Sequence, residues 1–189
     1  KEYLKNTLNK KKFYNLIKID SPKIKNIDLI ISSNNHDKKI NSKIITSIDA
    51  RLIKFNLRIS SVIYCKHNVS DIKKSLLSKK IKINSLVLLY GSNSIVDKND
   101  VIPQGLKEAK GKIIAYGAPT DPGNLLMYGV LDKKKVIGVP GCAKSNLRNG
   151  FDLVLEKACF NLNLNKKVIS EMSAGGLFKN LIKNNINES

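Results

Sequence analysis

Short apolar blocks alternate with amphipathic, polar stretches along most of this chain. Ile27-Asp28-Leu29-Ile30-Ile31 reads as a first strand, followed by a polar loop from Ser32 to Lys39. Ile40, Ile44, Ile48 and Leu52 then recur every four residues, with Ile45 and Ile53 beside them. That spacing predicts an amphipathic helix of about four turns. Ile59 to Tyr64, rich in β-branched residues, predicts a second strand, and Val69 to Leu77 a short helix capped by Ser70. Leu86-Val87-Leu88-Leu89-Tyr90 has the continuous apolar pattern of a strand buried on both faces. It stops abruptly in Gly91-Ser92-Asn93-Ser94. A helix from about Asp100 to Ala109, ended by Gly111, leads to a strand at Ile113–Tyr116. Leu125–Leu131 and Val136–Val139 flank Asp132-Lys133-Lys134-Lys135 as the arms and tip of a hairpin. A long helix is expected from Leu147 to Phe160, and a last helical stretch around Gly175-Gly176-Leu177-Phe178. Strands alternating with helices predict a three-layer α/β/α fold, its sheet mostly parallel with one antiparallel hairpin.

Two domain-level expectations follow. Residues 1–26 are rich in Lys and Asn and end in a Ser21-Pro22 break, and the chain opens on Lys1 rather than Met. They read as a linker or the tail of an upstream domain, and residues 27–189 as the α/β domain. The 189 residues suit one such domain with a little left over.

Composition narrows the function classes. No apolar run reaches the roughly 18 residues a membrane span requires. The opening KEYLKNTLNKKKFYNL has no apolar signal-peptide core. Cys65, Cys142 and Cys159 are odd in number and lack CxxC spacing, which argues against a disulfide framework or a zinc site and fits a reducing cytoplasm. The net charge of +19 raises nucleic-acid binding. Yet only Arg51, Arg58 and Arg148 are arginines among 34 basic residues, and base readout and bidentate phosphate capture favour Arg. Residues 1–84 carry net +14 against +5 for 85–189, so the half with the candidate site is the less basic one. Specific nucleic-acid binding is disfavoured; weak, salt-sensitive adhesion remains expected.

Candidate chemistry gathers in three loops. In open α/β sheets, ligands bind beyond the carboxyl ends of strands. Gly91 lets the backbone approach a ligand, and Ser92, Asn93 and Ser94 add short polar side chains beside exposed N–H groups, which favours an anion. Asp97 and Asp100 suit a Mg²⁺ ion or the donor edge of an amino-pyrimidinone ring, or else they N-cap the following helix. Pro103 fits a first helical turn. In Gly117-Ala118-Pro119-Thr120-Asp121-Pro122-Gly123-Asn124, Pro-Gly predicts a type II turn with positive φ at Gly123. It is either a plain turn or the place that brings Asp121 and Asn124 to the edge of Gly91. Pro140-Gly141-Cys142-Ala143-Lys144-Ser145, read at a helix N-terminus with Arg148 one turn on, makes an anion site, with Ser145 as an N-cap the alternative. Cys142 reads as a small turn residue rather than a nucleophile, and His36 and His67 as surface or loop residues.

The order of these motifs resembles the molybdopterin-binding domain of molybdenum cofactor biosynthesis proteins. The segments that carry the likeness are GSNSIVDKNDVIP at 91–103, PTDPGNL at 119–125 and PGCAKS at 140–145. They look most like the branch found beside or fused to molybdenum cofactor cytidylyltransferases. Ser173-Ala174-Gly175-Gly176-Leu177 is similar to that family's closing segment, so the resemblance spans about 27–178. It implies that 27–189 holds molybdopterin, with phosphate in the loops of Gly91, Ser92, Asn93, Ser94, Asp121, Gly123, Asn124, Pro140, Gly141, Cys142, Lys144 and Ser145. It implies Asp100 as metal ligand and, with Asp97, as catalytic carboxylate.

The activities implied are Mg-dependent adenylyl transfer with ATP, or molybdate insertion, and the likeness leans toward such a transferase. The alternative is a non-catalytic carrier that delivers molybdopterin to a cytidylyltransferase or molybdoenzyme, with a homo-oligomer left open. The first loop, Ser32–Lys39, lacks the glycine pattern expected of the family, which keeps the carrier reading alive; Asn93 and Lys144 are not diagnostic.

Overall fold

The computed structural model describes residues 21–35, 38–93 and 95–173. Six strands form one sheet: β1 (Ile27–Ser32), β2 (Ser61–Cys65), β3 (Leu86–Gly91), β4 (Lys112–Tyr116), β5 (Met127–Leu131) and β6 (Lys134–Val139). Their order is β2-β1-β3-β6-β5-β4. β1 pairs in parallel with β2 and β3, and β3 with β6, while β5 runs antiparallel to both β4 and β6. The carboxyl ends of the other five strands therefore share one edge, where β5 begins.

Helices α1 (Lys38–Leu52), α2 (Val69–Leu76), α3 (Val101–Glu108), α4 (Gly150–Cys159) and α5 (Lys166–Ser170) cover the sheet on both faces, which gives the three layers expected. β1 and β3 are buried at every position because alternate side chains enter two different cores. Leu29, Ile31, Leu86 and Leu88 face Ile44, Ile48, Phe151 and Leu155 of α1 and α4. Ile30, Val87 and Leu89 face Ile72, Leu76, Ile102 and Leu106 of α2 and α3. Burying such aliphatic side chains stabilises by about 1.5–3 kcal/mol each relative to exposure.

Several boundaries differ from expectation, each for a local reason. α2 is capped by Asn68, whose Oδ1 accepts the Asp71 N–H at 2.8 Å, and Ser70 lies inside the first turn. The hairpin tip is shorter than the four residues expected, because Asp132 adopts a positive φ of 52° and lets Lys134 rejoin the ladder opposite Leu131. The long helix starts at Gly150, not Leu147. Asn149 Oδ1 accepts the Phe151 N–H at 3.0 Å, and Asp152 Oδ2 accepts the Asn149 N–H at 2.8 Å, a reciprocal cap that sets the helix start. The helical stretch expected around Gly175 to Phe178 lies outside the described residues.

Candidate functional site

The connection from β1 leads outward to β2, whereas that from β3 leads across to the opposite side of the sheet. The crevice between their carboxyl ends is thus a topological switch point, the place where open α/β sheets take ligands. Ser32 and Gly91 close β1 and β3 in register, and the Ser92 N–H donates to the Ser32 carbonyl at 2.8 Å. A Cβ on Gly91 would stand 2.7 Å from Ile102 Cδ1 and 3.0 Å from His67 Cε1. The close approach, rather than a left-handed φ, is what requires glycine here.

Beyond Gly91 the chain folds over the edge, pinned by Ile95, which is buried against Gly138 of β6. Asp100 Oδ2 accepts the N–H groups of Val96 at 2.7 Å and Asp97 at 2.8 Å. Asp97 Oδ1 accepts the Asn99 N–H at 2.6 Å. Asp100 occupies the N-cap position of α3, yet no side-chain bond caps that helix. The capping alternative is therefore corrected: both carboxylates brace the loop that precedes the helix. Among the described residues no hydrogen bond engages Asp100 Oδ1 or Asp97 Oδ2. Ser92 and Asn93 are exposed, and Ser94 lies outside the described residues. Tyr116, at the end of β4, belongs to the same electrostatic field: burial first, then Asp100 and Asp97, push its phenol up to about 12.

His67 lies in the loop between β2 and α2, as expected, and is half-buried beside Gly91. Its Nδ1 lies 2.9 Å from Ser32 Oγ, and its backbone N–H donates to Asn34 Oδ1 at 3.0 Å. Burial lowers the imidazole pKa, with Asp100 pulling the other way. The signal was available, because His67 follows a predicted strand just as Gly91 does, and parallel strands end on one edge. His36 lies outside the described residues.

The Pro140–Ser145 segment is a short 3₁₀ turn, Gly141–Lys144, separated from α4. Arg51 of α1, a residue sequence reasoning left without a role, holds it. Its guanidinium is buried and donates to the carbonyls of Ser47, Ala143, Ser145 and Leu147 at 2.7–3.2 Å and to Ser47 Oγ at 2.6 Å. Its Nε pairs with Asp152 Oδ1 at 2.9 Å. The N-cap of α4 is Asn149, so Ser145 N-caps no helix, ending the 3₁₀ turn instead, and Lys144 lies at no α-helix N-terminus. Exposed Arg148 pairs with Glu156 of α4 at 3.6 Å. Between this turn and α1 lies a cleft of about 650 Å³ lined by Ser42, Lys43, Thr46, Gly141, Lys144 and Ser145, with Cys142 at its wall. Burial pushes the Cys142 thiol up, away from the thiolate a nucleophile needs.

The remaining turn packs on the start of α4. Gly123 has a φ of 109°, as expected, and the Gly150 N–H donates to the Pro122 carbonyl at 2.9 Å. The N–H groups of Gly150, Phe151 and Asp152 are all engaged, so the α4 N-terminus offers none of them to an anion. Asp121 and Asn124 are exposed, and Asp121 lies near enough to Cys142 to oppose ionisation of its thiol.

The candidate residues thus share one sheet edge but form two groups. Asp97, Asp100, Gly91, His67 and Ser32 lie on the switch-point side, with Tyr116 at the far end of the edge on β4. Asp121, Gly123, Pro140, Gly141, Cys142, Lys144 and Ser145 gather near the α1 cleft, which neither Asp97 nor Asp100 lines.

No family model matches this chain, and no curated protein matches it in sequence. Among solved structures, it is similar to a molybdopterin biosynthesis MoeA protein from Pyrococcus horikosii, with a TM-score of 0.50 and 16% sequence identity. The match covers 72% of this chain and 35% of that one, so this chain spans about a third of its neighbour's length. At that identity the likeness establishes the α/β fold. Among the described residues, no helix is long and apolar enough to cross a membrane.

Proposed function

We propose that this domain binds molybdopterin in molybdenum cofactor assembly. The observation that carries the reading is the cleft between α1 and the Gly141–Lys144 turn. It is large enough for a pterin-sized ligand, offers Lys43, Lys144 and several hydroxyls to a phosphate, and has its floor locked by Arg51. The three motif loops lie along the same edge, and the fold is that of a neighbour named for molybdopterin biosynthesis. In this reading Gly141, Cys142, Lys144 and Ser145 contact the ligand, with Asp121, Gly123 and Asn124 at its rim. Gly91, Ser92 and Asn93 extend the site toward Asp97 and Asp100.

Mg²⁺ fits the aspartate loop as a shared ion. Among the described residues no three His, Cys, Asp or Glu could hold a metal by themselves. Mg²⁺ ordinarily takes only one or two carboxylates and completes its shell with ligand phosphates and water. Asp100, with Asp97 beside it, would hold the ion, which would neutralise phosphate charge during adenylyl transfer from ATP or molybdate insertion. Calorimetric titration with molybdopterin tests binding, and an absence of heat at any ligand concentration would end this reading. Incubation with molybdopterin, Mg-ATP and molybdate, followed by mass spectrometry, tests for transfer.

A second reading has its own support. Since Asp97 and Asp100 do not line the cleft, molybdopterin could be held there without its phosphate meeting the carboxylates. The domain would then carry the cofactor to a cytidylyltransferase or molybdoenzyme, and molybdopterin would bind but stay unmodified.

A further inference from the structure

We infer that Asp28 Oδ2 and Ser85 Oγ hold one internal water molecule between the amino ends of β1 and β3, a polar key that fixes the register of the two strands. The inference does not depend on what binds at the opposite, carboxyl edge of the sheet.

Three observations carry it. First, Asp28 is 2% exposed and Ser85 is fully buried, and among the described residues neither Asp28 Oδ2 nor Ser85 Oγ has a hydrogen-bond partner. Asp28 Oδ1, by contrast, accepts the Ser61 hydroxyl of β2 at 2.6 Å. A buried oxygen left dry costs more than a typical hydrogen bond returns. Protonation does not cure this, since an acid O–H needs a partner as much as a carboxylate oxygen does.

Second, the two orphaned oxygens belong to one face of the sheet. Asp28 lies opposite Val87 in the parallel register, and the Leu86 N–H donates to the Asn26 carbonyl at 2.9 Å, which carries the pairing back toward Ser85. Side chains alternate between faces, so Asp28 points with Ile30, and Ser85 with Val87 and Leu89, into the core under α2 and α3. That makes them diagonal neighbours, roughly 8 Å apart at Cα from strand geometry. Subtracting the reach of two short side chains leaves a gap that one water bridges.

Third, the chemistry selects water. It donates to Oδ2 and accepts the Ser85 hydroxyl proton, and two polar partners meet the minimum a buried water needs. A metal cation asks for about six oxygens, and only these two are orphaned on this face. Lys134, on the same face one strand further, gives its Nζ to the Leu76 carbonyl at 3.4 Å. A one-residue slip of β1 against its neighbours would turn its side chains to the wrong face and part Asp28 from Ser61 and Ser85 together. The key at the amino end therefore keeps Ser32 level with Gly91 at the carboxyl end.

The test compares urea unfolding of the full chain with its Ser85→Ala, Asp28→Ala and doubly substituted variants. Water–protein NOE and ROE spectra of the parent accompany it. Ser85→Ala should raise the unfolding equilibrium constant about three- to tenfold, the scale of one neutral hydrogen bond. The double variant should lose less than the two single losses combined, because both residues act through one water. In the parent, cross-peaks from the water line to the Asp28 and Leu86 amide protons should have opposite signs in the two spectra, the mark of a held water. Stability should be the same in sodium, potassium and choline chloride at equal ionic strength. A Ser85→Ala chain as stable as the parent, or more so, means a dry orphaned hydroxyl and overturns the inference, whether or not Asp28→Ala folds. Additive losses or missing cross-peaks also overturn it. Stability that follows the identity of the cation assigns the site to a metal ion and overturns the water.

Discussion

Arg51 is the residue whose removal should be felt most widely. Six of its hydrogen bonds converge on α1, the 143–147 segment and Asp152, and the ring of Phe151 lies 5.8 Å from its guanidinium carbon. Arg51→Ala leaves Asp152 without its ion-pair partner and several buried carbonyls without donors. We expect a loss of about 3–5 kcal/mol in urea unfolding, the usual scale for breaking one side of a buried pair. Arg51→Lys should recover little of it, because an ammonium cannot reach acceptors spread across a planar fork.

The thiols give a second test at this scale. Burial raises Cys65 and Cys142 and pushes Cys159 up to about 12, so at any given pH each carries less thiolate than a free cysteine. Iodoacetamide labelling followed by mass spectrometry should find all three slower than a cysteine-containing peptide at pH 8, with Cys159 the slowest. Rapid labelling of Cys142 would revive the nucleophile reading.

At the scale of elements, the 92–100 loop and α3 behave as one unit. Asp100 closes the loop through Val96 and Asp97 while lying at the helix N-cap position, so the same carboxylate is a brace and a candidate ligand. Asp100→Asn retains an oxygen that can accept those two N–H groups but loses the negative charge. Its thermal stability should fall by no more than about 1 kcal/mol, the scale of one such hydrogen bond. Magnesium-dependent stimulation of ligand binding should be lost, which calorimetry with and without the ion would measure. A large stability loss with unaltered magnesium dependence would leave the carboxylate a purely structural part.

Caps and turns are where sequence reading fell short at this scale. Ser70, Asn68, Leu147 and Asn149 all lie near a helix start, and local preference cannot choose between neighbours when tertiary bonds bias one of them. At α4 the reciprocal cap of Asn149 and Asp152 places the start at Gly150, while Arg51 binds the Ser145 and Leu147 carbonyls ahead of it.

For the molecule as a whole, the net charge of +19 predicts adhesion to polyanions without sequence preference. Fluorescence anisotropy with a mixed-sequence oligonucleotide should show weak binding that disappears between about 50 and 200 mM salt, with a steep slope against log salt. Molybdopterin held in a cleft by Lys43, Lys144 and hydroxyls should be less salt-sensitive over that range. Binding of the oligonucleotide that survives high salt would favour a nucleic-acid role instead.

What the amino-acid order determined by itself is the class of fold and its elements as far as α4; the short helix α5 at Lys166–Ser170 was not among them. Apolar periodicity is a local property: the four-residue spacing of Ile40, Ile44, Ile48 and Leu52 and the unbroken run at 86–90 each name an element without reference to the rest of the chain. The small-residue loops at 91, 117 and 140 were legible for the same reason. Strand order and the grouping of the loops were decided only by the tertiary structure, since contacts between distant residues leave no mark at either position alone. Arg51 is separated from Asp152 by 101 residues, and Ser32 from His67 by 35. So Arg51 emerged as the clamp of the cleft, and His67 as an imidazole held beside Gly91, only once β1, β2 and β3 lay side by side.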